Sequence, residues 1–326
     1  MVERLSWMQS LREWLRLLPF VGRPCLIVRR YGGLGDLLCL MPGLQALKER
    51  HPSHALILVT SPSLVKIATL AGVAALVLPS NLRGTGWLAT VLRPAADLLP
   101  KLADEQQPPQ PRARRLLMQE FATQLGVELA SSQGVSLHAS EASLASVRMA
   151  LELACIPVNR LVVIHTGPSW PVKHWPHQHW RTLTEALQAN GFAIVQIGAR
   201  GHDGDFETQM PAVEHTLDWR DRLELPELAA LLSLARLFIG IDSGPLHLAQ
   251  SVGTARVGLF GPTDSASIVF SDPKANALTA GLSCQGCHHH PAGPQHWRTG
   301  CPHHIACMMN LSPASVLAAC MSRLHG

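Results

Sequence analysis

The chain has 326 residues, 47% hydrophobic and 15% charged, with a formal net charge of +4. That composition excludes a disordered chain, and the length calls for about two domains, each with its own core. The charge is small and its Lys and Arg are scattered, except for PRARR at 111–115, so nucleic acid is not the expected partner. Anionic small molecules or an anionic membrane face stay open.

Residues 1–23 are apolar and basic, but Arg12, Glu13 and Arg16 interrupt any apolar core and no small-residue cleavage site follows, so an export signal is not expected. Leu5, Met8, Leu11, Leu15 and Leu18 recur at helical spacing, which predicts an amphipathic helix packed on the first domain. An interfacial anchor beside anionic lipid is the second reading. No stretch reaches about 20 uncharged apolar residues, the length of a membrane span.

A strand at 25–30, a glycine turn, a helix at 36–50, a strand at 55–60, a helix at 63–72 and a strand at 74–79 follow. That βαβαβ series predicts a parallel sheet with helices on both faces. Residues 82–110 carry no clear pattern, and 104–112, with three prolines, reads as a loop. Helices are expected at 114–127, stopped at Gly126, and at 141–154. A second series places strands at 161–167, 192–199, 237–244 and 255–261, with helices at 177–190, 226–235 and 245–252. The expected fold class is therefore α/β, with two doubly wound Rossmann-like domains, 1–158 and 159–326, facing across a cleft. Ligands of such sheets bind at the carboxyl ends of the strands.

Four loops leave strand ends with glycine: YGGLGD (31–36), HTGPSWPVKHWP (165–176), IGARGHDGD (197–205) and IDSGPLH (241–247). Glycines admit backbone N–H groups to a ligand, and a helix starting next adds unpaired donors, which suits a nucleotide diphosphate. A dinucleotide site is disfavoured. Leu38 stands where a third glycine belongs after Gly33 and Gly35, and the next strand ends without an acid for a ribose. By spacing alone Asp36 is a helix cap and Lys173 a solvated loop residue, while Trp175 is either a packing anchor, the favoured reading, or a cleft wall. Ser243, Gly244 and Leu246 are expected to present donors at a helix start, Pro245 having no N–H there; Asp242 and His247 flank that turn. Arg29 and Arg30 either meet an anionic acceptor or face water.

Cys25, Cys39 and Cys155 lie in apolar runs and read as buried thiols, and Cys320 as packed on the last helix. Cys284, Cys287, Cys301 and Cys307 have the spacing of a tetrahedral metal site, with zinc and iron as candidates. The histidines at 288–290, 296 and 303–304 offer other ligands, and free thiols in an ordered loop are the alternative. A nucleic-acid-binding zinc ribbon is weakened by the lack of a basic face.

The stretches IVRRYGGLGDLLCLMPGLQALKERHP, HTGPSWPVKHWP and DSGPLHLAQSVGTARVGLFGPTDS resemble, in order and spacing, the three signature blocks of glycosyltransferase family 9, the bacterial heptosyltransferases. The resemblance spans about residues 25–270. It implies a GT-B fold with the acceptor on the N-terminal domain and the nucleotide sugar on the C-terminal one. It also implies inverting transfer of heptose from ADP-heptose, onto the lipopolysaccharide inner core, with no metal needed for catalysis. The implied location is the cytoplasm, with a peripheral contact at the inner membrane left open.

Residue by residue, Asp36 matches the family's proposed general base, which takes the acceptor hydroxyl's proton, with Gly33 and Gly35 beside it on the acceptor side. Lys173 matches the lysine that contacts the donor phosphates, and Thr166 and Gly167 are placed to add a hydroxyl and an N–H. Asp203 and Asp205 are rival candidates for the ribose hydroxyls. Asp242 is expected to line the donor site, and His247 either meets a phosphate or caps a local network. Relatives that modify bacterial autotransporter proteins have a comparable four-cysteine iron site, so a protein acceptor is the second reading. A nucleotide-sugar-binding protein without turnover, or a metal-dependent interaction module at the tail, are the rivals of another class.

Overall fold

The computed structural model describes residues 4–101, 116–129, 134–199, 211–268, 274–289 and 301–325. The chain divides into two compact units, 1–108 with 117–135, and 109–116 with 136–326. The first unit runs α1 (Trp7–Leu15), β1 (Cys25–Arg30), α2 (Leu34–Arg50), β2 (Ala55–Thr60), α3 (Val65–Leu70), β3 (Leu76–Pro79), α4 (Leu88–Leu92), β4 (Ala96–Leu98) and α5 (Leu117–Gln124). Its strands form one parallel sheet in the order β3-β2-β1-β4. Parallel strands covered on both faces lose water on both sides, and β2, β3 and the first four residues of β1 are accordingly almost all apolar, before β1 ends in Arg29 and Arg30. Ile27, Ile57 and Leu78 centre that core, with Leu17, Leu88 and Leu92 packed on it.

β4 lies in the stretch the sequence left unassigned. It is a three-residue edge strand, only partly buried, so no apolar run announces it. Its position beside β1 sets Asp97 against Arg29, which grips it with Nε at 2.7 Å and Nη2 at 2.9 Å.

α1 forms in the expected place but is rotated relative to the expectation. Of the stripe expected to pack, Leu5 is partly buried against the core, beside Trp14 and Leu17, whereas Met8, Leu11, Leu15 and Leu18 are exposed. Polar ties set that rotation: the Leu5 N–H donates to the Asn81 carbonyl at 3.2 Å, and Trp14 Nε1 donates to the Arg83 carbonyl at 2.9 Å.

The second unit runs α6 (Glu141–Leu153), β5 (Leu161–His165), α7 (His177–Ala189), β6 (Ala193–Ile197), β7 (Leu217–Asp218), α8 (Leu225–Leu234), β8 (Leu237–Ile241), α9 (Gly244–Ser251), β9 (Arg256–Leu259), α10 (Ser265–Ile268), β10 (Ala275–Leu278), α11 (Ala306–Met309) and α12 (Pro313–His325). The six strands are all parallel, in the order β10-β9-β8-β5-β6-β7. The central β5 and β8 are fully buried. The two edges, β7 and β10, are short and partly exposed, and the periodicity did not reveal them. α6 belongs to this unit, where Ser146 Oγ donates to Glu227 of α8 at 3.1 Å; the boundary expected at 158 falls on its far side.

The core of the second unit turns on two indoles. Trp175 and Trp180 meet edge to face at 4.9 Å, and Trp175 Nε1 donates to the Leu311 carbonyl at 2.8 Å, which ties α7 to the segment before α12. Cys320 is buried on α12, and burial pushes its thiol up to about 12. Cys25 and Cys39 are buried as expected, but Cys155 is exposed: the chain turns there through a left-handed backbone, φ 53°, just past α6. Among the described residues, no helix is long and apolar enough to cross a membrane.

Candidate active site

At the carboxyl end of β1 the chain turns through Tyr31-Gly32-Gly33 into α2, and Asp36 lies in the first turn of that helix. Its Oδ2 accepts from the Gly33 N–H at 3.3 Å and from Arg30 Nη2 at 3.0 Å. The capping alternative thus has a physical basis, since the carboxylate closes the helix start from its third position rather than from the cap itself. Arg30 does not face water. It is buried, with its guanidinium 5.1 Å from the Phe121 ring. A Cβ at Gly32 would stand 2.5 Å from Asp36 Oδ2, so only glycine admits this arrangement. Gly33 and Gly35 open α2 beside the carboxylate.

In the second unit, Lys173 and Asp242 lie in the loops that follow the neighbouring strands β5 and β8 and meet. Lys173 Nζ is 2.6 Å from Asp242 Oδ2, 3.3 Å from the Asp242 carbonyl and 4.4 Å from the centre of the Trp170 ring. It is no solvated loop lysine. Burial of Asp242 favours its neutral form, but the charges of Lys173 and His247 outweigh that and hold the carboxyl below its ordinary value. Asp242 is therefore ionised at neutral pH. His247 is buried in the first turn of α9.

The turn into α9 departs in part from expectation. The Leu246 N–H already donates to the Ser243 carbonyl at 3.1 Å, so it is not one of the open donors of the helix start. The Ser243 hydroxyl is also engaged, donating to the Ile241 carbonyl at 3.2 Å and lying 3.0 Å from His165 Nδ1. With the hydroxyl proton on Ile241, the imidazole donates through Nδ1. The N–H groups of Ser243 and Gly244 also belong to this helix start.

Sequence reasoning missed His165. It ends β5 fully buried, and burial, helped by His174, pushes its pKa down to about 4, so it is neutral. Its only sequence signal is its place before Thr166 and Gly167. Thr166 is buried, and its hydroxyl accepts from Gln196 Nε2 at 2.9 Å. Gln196 in turn receives the Val213 N–H at 2.8 Å, so β6 is stitched to the strand end. Gly167 follows, with φ 145°. Asp203 and Asp205 lie outside the described residues.

Cys284, Cys287, Cys301 and Cys307 line one small cavity, together with His303 and Val172. Burial, and then the other thiols' charge, push the Cys287 and Cys307 thiols up to about 11, a cost that a bound cation would remove. Four converging sulfur donors fit zinc or iron. Among the described residues, however, no set of three or more His, Cys, Asp or Glu is arranged as a ready metal site, so the cavity supplies a donor set and not a formed coordination sphere. The cluster touches the Lys173 loop. Val172 lines the cavity, and His288 meets Trp170 edge on at 5.0 Å. It also grips the turn after β9, where the Gly286 N–H donates to Gly261 at 3.0 Å and the His288 N–H to Pro262 at 2.8 Å.

A family model described as glycosyltransferase family 9 (heptosyltransferase) matches residues 99–297. The chain is 31% identical over 164 residues, 48% of its own length and 46% of the relative's, to lipopolysaccharide heptosyltransferase 3 of Escherichia coli. It is 31% identical over 104 residues, 32% of its length and 29% of the relative's, to lipopolysaccharide heptosyltransferase 1 of Pseudomonas aeruginosa. The matched part is thus less than half of either relative. Among solved structures, a family 9 glycosyl transferase from Veillonella parvula superposes with TM-score 0.72 at 18% identity, over 93% of this chain and 97% of that one. The iron-containing dodecameric glycosyltransferase TibC of enterotoxigenic E. coli gives 0.68 at 22% identity, over 93% and 78%. At these identities the structural likeness speaks for the fold.

Proposed function

The chain belongs to glycosyltransferase family 9, and from that premise we propose that it is an inverting heptosyltransferase, moving heptose from ADP-heptose to a hydroxyl of the lipopolysaccharide inner core. The observation that carries this reading is the Lys173–Asp242 pair, which joins the loops that follow β5 and β8 next to the start of α9. An ammonium has three N–H donors. Two are directed at Asp242, and the third is available to a phosphate oxygen in exchange for the face of Trp170.

In the proposed reaction, the Asp36 carboxylate takes the proton of the acceptor hydroxyl as that oxygen attacks the anomeric carbon from the side opposite the nucleotide. The bond from that carbon to the diphosphate oxygen breaks, its electron pair leaves with ADP, and the anomeric configuration inverts. Lys173 and the N-terminal end of α9 meet the charge that develops on the diphosphate. Arg30 and the Gly33 N–H aim the carboxylate.

For the thiol cavity we propose a structural iron or zinc ion held by Cys284, Cys287, Cys301 and Cys307; TibC, which shares the fold, is described as iron-containing. When bound, such an ion supplies a cross-link between chain segments. Here Val172 and the His288–Trp170 contact would pass that rigidity to the Lys173 loop. The same four thiols favour a second reading in which the acceptor is a bacterial surface protein.

Calorimetric titration with ADP-heptose, ADP, UDP-glucose and NAD tests the donor reading. Selective binding of the ADP ligands is expected, weakened at least about tenfold, or 1.4 kcal/mol, by Lys173→Ala. Preference for another nucleotide sugar would remove the heptosyltransferase reading. Mass gain on heptose-deficient lipopolysaccharide, against none, separates the two acceptors.

A further inference from the structure

We propose that the outward face of α1 docks on an anionic lipid bilayer. The helix is well formed in its own right: Ser6 and Gln9 cap it reciprocally, the Gln9 N–H donating to Ser6 Oγ at 3.2 Å and the Ser6 N–H to Gln9 Oε1 at 3.0 Å. Its inner face is fastened to the first unit through Trp14 and Leu5, as described above, and by Arg83, whose N–H donates to Ser10 Oγ at 3.4 Å and whose Nε donates to the Leu5 carbonyl at 2.7 Å. That fastening turns the apolar stripe away from the protein. Trp7, Met8, Leu11, Leu15 and Leu18 are 76, 73, 60, 54 and 63% exposed. Positions 7, 11, 15 and 18 share one side of the helix and of the turn that extends it.

A stripe of this size is not the scattered exposure normal for a surface, and its charge points to the occupant. Residues 1–23 carry Arg4, Arg12, Arg16 and Arg23 against two acids, Glu3 and Glu13, the latter paired with Arg16 at 2.6 Å. Arg83 adds a fifth cation over the Trp7 ring at 5.0 Å. A second copy of the chain on this face would bring like charges together, whereas lipid phosphates neutralise them while the acyl boundary takes up Trp7 and the leucines. Trp87, also exposed, follows Gly84, against which the Trp14 ring packs, and so extends the apolar border beside α1. The proposal is independent of the transferase reading.

Co-sedimentation of the full chain with vesicles tests it. Vesicles of equal parts phosphatidylglycerol and phosphatidylcholine should pellet the chain, and phosphatidylcholine alone should bind at least about tenfold more weakly. Leu11→Gln with Leu15→Gln, exposed positions whose replacement leaves the core intact, should lower binding by about tenfold or more with an unchanged melting temperature. Arg12→Gln with Arg16→Gln should lower the preference for the anionic vesicle. No pelleting with either vesicle, or pelleting equal for the leucine variant, would overturn the proposal. So would a stable oligomer by light scattering that the leucine variant converts to monomer, because the face would then belong to a second copy.

Discussion

Each unit pairs an acid with a cation near the carboxyl end of a strand, yet the pairs are turned opposite ways toward water. In the first unit the cation is the hidden member: the Arg30 side chain is 3% exposed and that of Asp36 25%. In the second the acid is hidden, Asp242 at 5% and Lys173 at 12%. A partly exposed carboxylate suits the removal of a hydroxyl proton, and a reachable ammonium suits a departing diphosphate. On the proposed reading, the buried partner in each pair aims the other.

The largest effect should come from removing the partly exposed acid. Asp36→Asn keeps an oxygen for the Gly33 N–H, so the fold should hold, while kcat for heptose transfer falls by about 10²- to 10⁴-fold and donor affinity stays. Equal loss of donor affinity in calorimetry would break the division of labour between the pairs. Next comes the reachable cation. Lys173→Ala leaves Asp242 buried without its ammonium, and unfolding in urea should show a loss of about 3 kcal/mol beside the weakened donor binding. Lys173→Met with Asp242→Asn should recover most of the stability and none of the binding, a split that simple structural damage would not produce.

A smaller effect follows from His165, which ties Ser243 at the second pair. Its folded pKa of about 4 lies below the unfolded value near 6.5, so the unfolded chain takes up the proton first as pH falls. The stability it contributes as a neutral group is fully present above about pH 6.5 and is lost down to about pH 4, with about 2 kcal/mol gone between pH 7 and pH 5. His174 and His179, both lowered chiefly by burial, act in the same direction. Urea midpoints across that range should show the slope, and His165→Asn should flatten it. The smallest effect is expected from Cys284→Ser. Elemental analysis should show loss of the metal, and ADP-heptose binding should weaken by several fold, about 1 kcal/mol, through the Lys173 loop. Unchanged donor binding after metal loss would detach the thiol cavity from the donor pair.

The alternation of apolar runs with helical periods, and the glycine turns that end β1, β5 and β8, were legible in the chain itself, because a parallel strand buried on both faces has to be apolar and a tight approach to a helix start has to be glycine. The three signature stretches also pointed to Asp36, Lys173 and the turn before α9. Legibility stopped where a residue's surroundings are made by distant parts of the chain. β4, β7 and β10 are short edges that bury too little to need an apolar run. Lys173 and Asp242 are 69 residues apart, and His165 and Ser243 are 78 apart, so their pairing exists only once β5 lies beside β8. The clearest case is α1. Its periodicity determined that it is a helix with one apolar side, but periodicity says nothing of which side finds a partner. The hydrogen bonds of Leu5, Ser10 and Trp14 to residues 81–83 decided that, and they left the leucines facing out.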